Sequence, residues 1–320
     1  LKKILIIRFS SIGDIVLTTP VIRCVKKQLD CELHFCTKES FKTILANNPY
    51  VDKIHLLKDN IPALIKELQK ENFDYVIDLH HNLRTLRVKR ALKAPSVSFN
   101  KINIPKWLMV QFKINRLPAV HIVDRYMQAV SSLGVENDNE GLDYFIPEKD
   151  KVFLSSSGDF KSGNYVAIAM GAQHATKRLP LHKLIELCRN IPSPIILLGG
   201  KEDSSTAEQI LEALPERRDI FQGCGQFNLN QSASLLEQAK LVVAHDTGLM
   251  HMAAAFKKEI WSIWGNTIPG FGMYPYQTHH HVVEVKGLSC RPCSKIGYKS
   301  CPKKHFKCME QQDLSFAKSL

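Results

Sequence analysis

Ile4-Leu5-Ile6-Ile7-Arg8-Phe9-Ser10-Ser11-Ile12-Gly13-Asp14-Ile15-Val16-Leu17-Thr18-Thr19-Pro20 is the stretch on which the fold turns. Ile4–Ile7 is an apolar run with no polar alternation, the pattern of a strand buried on both faces. A short loop with two hydroxyls, a glycine and a carboxylate follows. From Ile15 to Gln28 the apolar residues recur at helical spacing. A buried strand that passes through a short loop into an amphipathic helix is one βα step.

The step repeats down the chain. Strands are expected at Glu32–Cys36, Ile54–Leu57 and Tyr75–Leu79, with helical segments at Phe41–Ala46 and Pro62–Lys70 between them. Residues 148–163, rich in Ser, Lys and Asp, read as a linker. The rhythm then restarts with strands Val166–Met170, Ile195–Leu198, Leu241–Ala244 and Ile260–Ile263. Helices Leu181–Asn190, Ser205–Leu214 and Leu249–Phe256 alternate with them. Alternation of this kind predicts parallel sheets covered by helices, here in two doubly wound α/β domains, residues 1–155 and 156–320. Ligands of such sheets bind at the carboxyl ends of the strands.

Composition narrows the class. At 320 residues, 44% hydrophobic and 23% charged, the chain is ordinary folded protein and not a disordered tail. No apolar run approaches the roughly 18 residues of a membrane span. Lys2-Lys3 before Ile4–Ile7 imitates a signal peptide, but Arg8 and Asp14 interrupt it, so the expectation is a soluble cytoplasmic protein. The net charge of +12 is unevenly spread. Residues 79–123 carry Arg84, Arg87, Lys89, Arg90, Lys93, Lys101, Lys106, Lys113 and Arg116 with no acid, and residues 285–309 carry seven more cations with none. Such stretches imply nucleic acid, an anionic membrane or a phosphate-rich substrate, the plain alternative being a solvated basic face.

Common nucleotide and hydrolase signatures are missing. Gly223-Cys224-Gly225 lacks the third glycine of a dinucleotide fingerprint, and Gly265-Asn-Thr-Ile-Pro-Gly270 continues Phe271-Gly272 instead of with a P-loop lysine. Three strand-end turns remain as candidate chemistry. In the first, Asp14 is a general base with Gly13 admitting substrate to the backbone, or a helix cap. The second, Gly171-Ala-Gln-His-Ala-Thr176-Lys177-Arg-Leu-Pro180, suits a phosphate-binding turn or is a solvated loop. The third runs from a buried strand through His245-Asp246-Thr247-Gly248-Leu249-Met-His251 into an alanine-rich helix. Its helix N-terminus suits a phosphate, while Asp246 or Thr247 as an N-cap and His251 as a core histidine are the plain alternatives.

Together the opening Arg8–Pro20 segment, Thr176-Lys177-Arg-Leu-Pro180 and Asp246-Thr-Gly-Leu-Met-His251 resemble glycosyltransferase family nine, the ADP-heptose:lipopolysaccharide heptosyltransferases, in order and spacing across nearly the whole chain. The resemblance implies the GT-B fold, two facing Rossmann-like domains with acceptor on the first and nucleotide sugar on the second. It also implies a last helix that crosses back, for which Gln311–Ser319 is the candidate. It implies an inverting transfer from ADP-heptose to a phosphorylated lipid A–core acceptor, with no cofactor required. By the same resemblance Asp14 is the catalytic base, and Lys177 neutralises the departing ADP. Thr176, Asp246, Thr247, Gly248, Leu249 and His251 hold the nucleotide sugar, and Ser10, Ser11 and Gly13 line the acceptor side. Beside the resemblance, the loop after Asp78, with His80, His81, Asn82 and Arg84, is the candidate for further acceptor contacts. Arg178-Leu179-Pro180 departs from the many relatives that have an aromatic before the proline.

With that acceptor in view, Trp107, Leu108, Val110 and Phe112 interleaved with Lys106, Lys113 and Arg116 read either as an interfacial helix at the inner membrane or as a core-packed one. Cys290, Cys293, Cys301 and Cys308 fall within nineteen residues, a spacing that suits a structural Zn²⁺, with free thiols or disulfides as the alternatives. Two rival classes are weaker. A sugar-nucleotide epimerase or dehydrogenase would want the dinucleotide fingerprint and a Tyr-x-x-x-Lys pair. A nucleic-acid-binding protein would use the basic tail and leave Asp14 without a purpose. The reading favours no nucleic-acid partner.

Overall fold

The computed structural model describes residues 1–58, 60–154 and 160–320. Most of the expected linker at 148–163 is therefore described, and residues 155–159 of it lie outside the described residues. The chain divides into two compact units. One comprises Leu1–Lys101 with Val120–Phe145, the other Ile102–Ala119 with Ile146–Leu320.

The first unit is built on five parallel strands: β1 (Lys2–Ile7), β2 (Cys31–Lys38), β3 (Lys53–Leu57), β4 (Tyr75–Asp78) and β5 (Ser96–Ser98), in the order β3-β2-β1-β4-β5. Ile4 to Phe9 are all buried, as an unbroken apolar run at the centre of a covered sheet requires. The helix expected over Ile15–Gln28 is two helices, Ile12–Val16 and Thr19–Gln28. Pro20 explains the break: it has no N–H, and its ring collides with the carbonyl one turn back, so it belongs in a first turn. Val21, Ile22, Cys24 and Val25 then face the core while Lys26 and Lys27 end the helix. Arg23 is buried on that helix and answers Asp138 with two 2.7 Å contacts, Asp143 and the Gly141 carbonyl.

Six parallel strands form the second unit: β6 (Val166–Ala169), β7 (Ile195–Leu198), β8 (Ile220–Gln222), β9 (Leu241–His245), β10 (Ile260–Trp264) and β11 (His280–Glu284), in the order β11-β10-β9-β6-β7-β8. The terminal segment, within which Gln311–Ser319 is the candidate cross-over helix, contributes side chains to this unit's core. Cys308, Met309, Leu314, Ala317 and Leu320 are buried in one cluster with Leu184, Leu187 and Ile263. Only a short helix (Lys307–Glu310) and a 3-10 turn (Ser315–Ser319) occur there.

Both sheets share one topological feature. In the first, the chain moves outward from β1 to β2 and β3 and then returns to the other side of β1 with β4. In the second it moves from β6 to β7 and β8 and returns with β9. Strand order reverses between β1 and β4 and between β6 and β9, and such reversal points open a crevice at the strands' carboxyl ends.

Candidate functional site

At the first reversal point the chain leaves β1 through Arg8. Its guanidinium is almost fully buried, and each of its three nitrogens has a partner. Nη2 lies 2.7 Å from Asp14 Oδ1, Nη1 donates to the Leu79 carbonyl at 2.6 Å and to Tyr126 Oη at 3.1 Å, and Nε donates to the Ser10 carbonyl at 2.7 Å. Asp14 is the third residue of helix Ile12–Val16, with Ser11 at the N-cap, and its carboxylate supplies the reciprocal arm of a capping box. Its Oδ2 accepts from the Ser11 N–H at 3.1 Å and from the Ser11 hydroxyl at 2.8 Å. Burial alone pushes this carboxyl up. The Arg8 charge and the Ser11 bonds outweigh it and hold Asp14 below its ordinary 3.8. The carboxylate is thus ionised, aimed and 21% exposed.

Ser10 and Ser11 are half-buried in this turn, while Gly13 is buried. Arg84, expected in the loop after Asp78, instead sits in the first turn of the helix Leu83–Leu92; it is exposed, with its guanidinium 5.8 Å from the Phe9 ring centre beside the Arg8–Asp14 turn. His80 packs against the same ring, and burial lowers it to about 4, so it is neutral. Asp78, fully buried at the end of β4, accepts from the His80 and His81 N–H groups and faces Lys89 Nζ at 3.1 Å. Sequence reasoning gave no role to Arg8, Asp78 or Lys89. The available signal was a charged residue directly abutting a buried apolar strand, which demands a partner.

The second reversal point gathers the other candidates. Lys177 Nζ lies 2.6 Å from Asp246 Oδ2, which also accepts from the Thr267 hydroxyl at 3.0 Å. Asp246 follows β9, Lys177 lies in the turn after β6, and Thr267 lies in the loop after β10. Three neighbouring strand ends therefore converge on one carboxylate. Thr247 is the N-cap of helix Gly248–Ala255 and makes no side-chain cap bond. The first N–H groups of that helix, from Gly248 and Leu249 onward, are therefore those with no intrahelical partner. His251 is buried within the helix. His245, also unassigned from sequence, joins the strand ends. Its Nε2 accepts from the Leu179 N–H at 3.1 Å, so Nδ1 carries the proton donated to the Met170 carbonyl at 2.9 Å. Burial lowers His245 to about 4, which keeps it neutral.

Thr176 is buried, and its hydroxyl accepts from the Tyr298 N–H at 2.8 Å. It pins the cysteine-rich tail to the Lys177 turn. Arg291 fastens the tail further, donating to the Gly265 carbonyl at 2.6 Å and the Thr267 carbonyl at 2.9 Å. Two glycines make room: a Cβ on Gly265 would stand 2.6 Å from the Thr176 carbonyl oxygen, and one on Gly171 would stand 2.4 Å from Asp203 Oδ2. Cys290, Cys293, Cys301 and Cys308 lie close enough that, after burial, the others of the set raise the Cys293 and Cys308 thiols, and Cys290 Sγ stands 3.8 Å from His305 Nε2. Among the described residues, the groups with three ligand atoms within 4.8 Å of one another are His34/His55/Glu71 and Glu259/His279/His281. Cys308 belongs to the hydrophobic core, and burial pushes its thiol up to about 12.

Helix Asn103–Phe112 buries none of its residues. Trp107 is 48% and Phe112 59% exposed, so the core-packed alternative for this helix does not hold.

Residues 61–304, well over half the chain, match the family model described as glycosyltransferase family 9 (heptosyltransferase). Lipopolysaccharide heptosyltransferase 1 of Campylobacter coli is 28% identical over 288 residues, covering 83% of this chain and 84% of that protein. Among solved structures, the Escherichia coli ADP-heptose lps heptosyltransferase II aligns with a TM-score of 0.69 at 18% identity, over 99% of this chain and 100% of the other. The E. coli heptosyltransferase WaaC with ADP aligns at 0.66 and 22% identity, over 88% and 93%. With two doubly wound parallel sheets, the same fold in solved heptosyltransferases and a family match over most of its length, the chain belongs to glycosyltransferase family 9 and is a GT-B glycosyltransferase.

Proposed function

We propose that the protein transfers a heptose from ADP-heptose to the phosphorylated lipid A–core acceptor of lipopolysaccharide, inverting the anomeric centre. The reading rests above all on one observation. A lysine, Lys177, is held 2.6 Å from Asp246 at the strand ends next to the uncapped N-terminus of helix Gly248–Ala255, which is the chemistry a diphosphate needs. Asp246, an anion itself, aims the Lys177 ammonium; Lys177 and the N–H groups of Gly248 and Leu249 meet the phosphates. Thr247 and His251 shape that pocket, and Thr176 sets the Lys177 turn. In the reaction Asp14 accepts the proton of the acceptor hydroxyl as that oxygen forms its bond to heptose C1. The bond from C1 to the diphosphate oxygen breaks, and the charge on ADP falls to Lys177 and the helix N-terminus. Ser10, Ser11, Gly13 and Arg84 belong to the acceptor side, Arg84 as a cation toward acceptor phosphate.

The acceptor is a lipid, which gives the exposed helix a purpose. Trp107 and Phe112, with Ile104 and Ile114, offer apolar contact, and Lys106 and Arg116 add positive charge suited to anionic lipid at the cytoplasmic face of the inner membrane.

Calorimetry tests the donor reading. ADP and ADP-heptose should bind selectively over UDP, GDP and NAD, Lys177→Ala should weaken them, and Asp14→Ala should keep ADP affinity while losing about 10²–10⁴-fold in turnover. Absence of nucleotide binding together with tight, salt-sensitive DNA binding would overturn it.

A further inference from the structure

β11 is an edge strand, paired in parallel with β10 so that Ile260 faces His280 and Trp261 faces His281. Side chains two apart on a strand share a face, so that register brings Glu259, Trp261, His279 and His281 onto one patch. There Glu259 Oε1 lies 3.2 Å from His281 Nε2 and 3.9 Å from His279 Nδ1, and the two imidazole rings are 4.8 Å apart at 80°. All three residues offer ligand atoms within 4.8 Å of one another.

We propose that Glu259, His279 and His281 form a binding site for a divalent transition metal, with Zn²⁺ the ion their chemistry suits. Two imidazole nitrogens and one carboxylate oxygen are a common three-residue Zn²⁺ set, with solvent completing the tetrahedron. Ligand atoms about 2.1 Å from a tetrahedral ion stand roughly 3.4 Å apart, between the two separations present here. The plane of His281 is already fixed. The Trp261 ring stacks on it at 4.0 Å and 19°, and Phe316 backs Trp261 at 4.3 Å and 4°. Such support behind a ligand is what orients it for metal. His279 is 71% exposed, so an ion reaches the site from solvent. The patch lies at the amino end of β10, whereas Thr267 and Asp246 follow the carboxyl ends of β10 and β9. Occupancy therefore clips β11 to β10 and leaves the donor residues untouched.

The test is titration of chelator-stripped full-length protein with Zn²⁺ and Co²⁺, followed by intrinsic fluorescence and absorbance. His279→Ala and His281→Ala should each weaken one equivalent of binding at least ~10-fold, the smaller loss expected for removing even a group behind a ligand. Trp261→Phe should keep that equivalent but lose its fluorescence response. The parent-minus-His279→Ala Co²⁺ spectrum should show d–d bands without thiolate charge transfer. Zn²⁺ should raise the melting temperature of the parent more than that of His279→Ala. If His279→Ala, an exposed change that spares the core, binds as tightly as the parent, or the difference spectrum carries thiolate bands, the proposal is wrong and the metal sits on cysteine.

Discussion

Replacing Arg8 by glutamine separates the roles of charge and scaffold in the first unit. The guanidinium pairs with Asp14 and supplies hydrogen bonds to the Leu79 and Ser10 carbonyls and Tyr126 Oη. The shorter, neutral amide can keep one of these contacts at most. Removing one partner of a buried pair costs about 3–5 kcal/mol, and the partial exposure of Asp14 places this case near 3. That corresponds to a fall of roughly 10 °C in melting temperature for a unit of this size. The pH dependence carries the sharper signature. In the parent, Asp14 titrates below 3.8, so its contribution to stability is complete above the unfolded value and disappears as pH falls through the folded value. Without Arg8 the upward push of burial is far less opposed and the sign reverses, since an ionised Asp14 then destabilises the fold. The stability gap between parent and Arg8→Gln should therefore narrow on acidification from about pH 7 toward pH 3. In kcat/KM the acid limb attributed to Asp14 should move upward. At neutral pH, where Asp14 is ionised in the parent, the positional loss should stay within ~10²-fold. Thermal melts across that range and pH–rate profiles read both effects. A gap constant with pH, or an acid limb that stays in place, would refute the assignment of Arg8 as the group that sets Asp14.

Gly265→Ala should cost about 1–3 kcal/mol by driving a methyl into the Thr176 carbonyl oxygen and Met309, and should weaken ADP binding because that push falls on the Lys177 turn; melting and calorimetry on one sample check both. Arg23→Met strands Asp138 and Asp143 without their cation, so denaturation should show about 3–5 kcal/mol lost with ADP affinity unchanged in the folded protein. Trp107→Ser with Phe112→Ser should leave the melting temperature within about 1 °C, since neither is buried, while sedimentation with vesicles rich in anionic lipid should fall. Unchanged vesicle binding would remove this helix as the membrane contact.

Most strands readable in the sequence lie inside a sheet, Ile54–Leu57 at an edge being the exception. Val166–Ala169 and Ile195–Leu198 are buried on both faces and appear as bare apolar runs. The unread strands, Ser96–Ser98, Ile220–Gln222 and His280–Glu284, are all sheet edges with one neighbour, where polar side chains are tolerated and the apolar signal thins out. Arg8 shows the same limit at the site. Its partner Asp14 is six residues away, yet its other contacts, Leu79 and Tyr126, are set by tertiary structure. The tail carries a second layer that spacing does not reveal. Besides its four cysteines, Tyr298 and Arg291 hydrogen-bond to the Thr176 and Gly265–Thr267 loops, contacts set by tertiary structure.

A reversal of strand order leaves polar backbone groups at two diverging strand ends, and each must be satisfied before a ligand arrives. The two units meet this demand with opposite electrostatics. In the first, a guanidinium answers the Leu79 carbonyl after β4, and its remaining charge falls on Asp14. In the second, a neutral imidazole answers the Met170 carbonyl and the Leu179 N–H without bringing any charge. The consequence is chemical. The first brace keeps a carboxylate ionised, ready to accept a proton. The second leaves the positive field to Lys177 and the helix N-terminus, free to meet an anion. Exchanging the braces would undo both: a neutral group at position 8 would release Asp14 upward, and a cation at position 245 would compete with Lys177 for Asp246. The division of labour proposed between base and leaving-group binding would thus be set one layer behind the residues to which those roles are assigned.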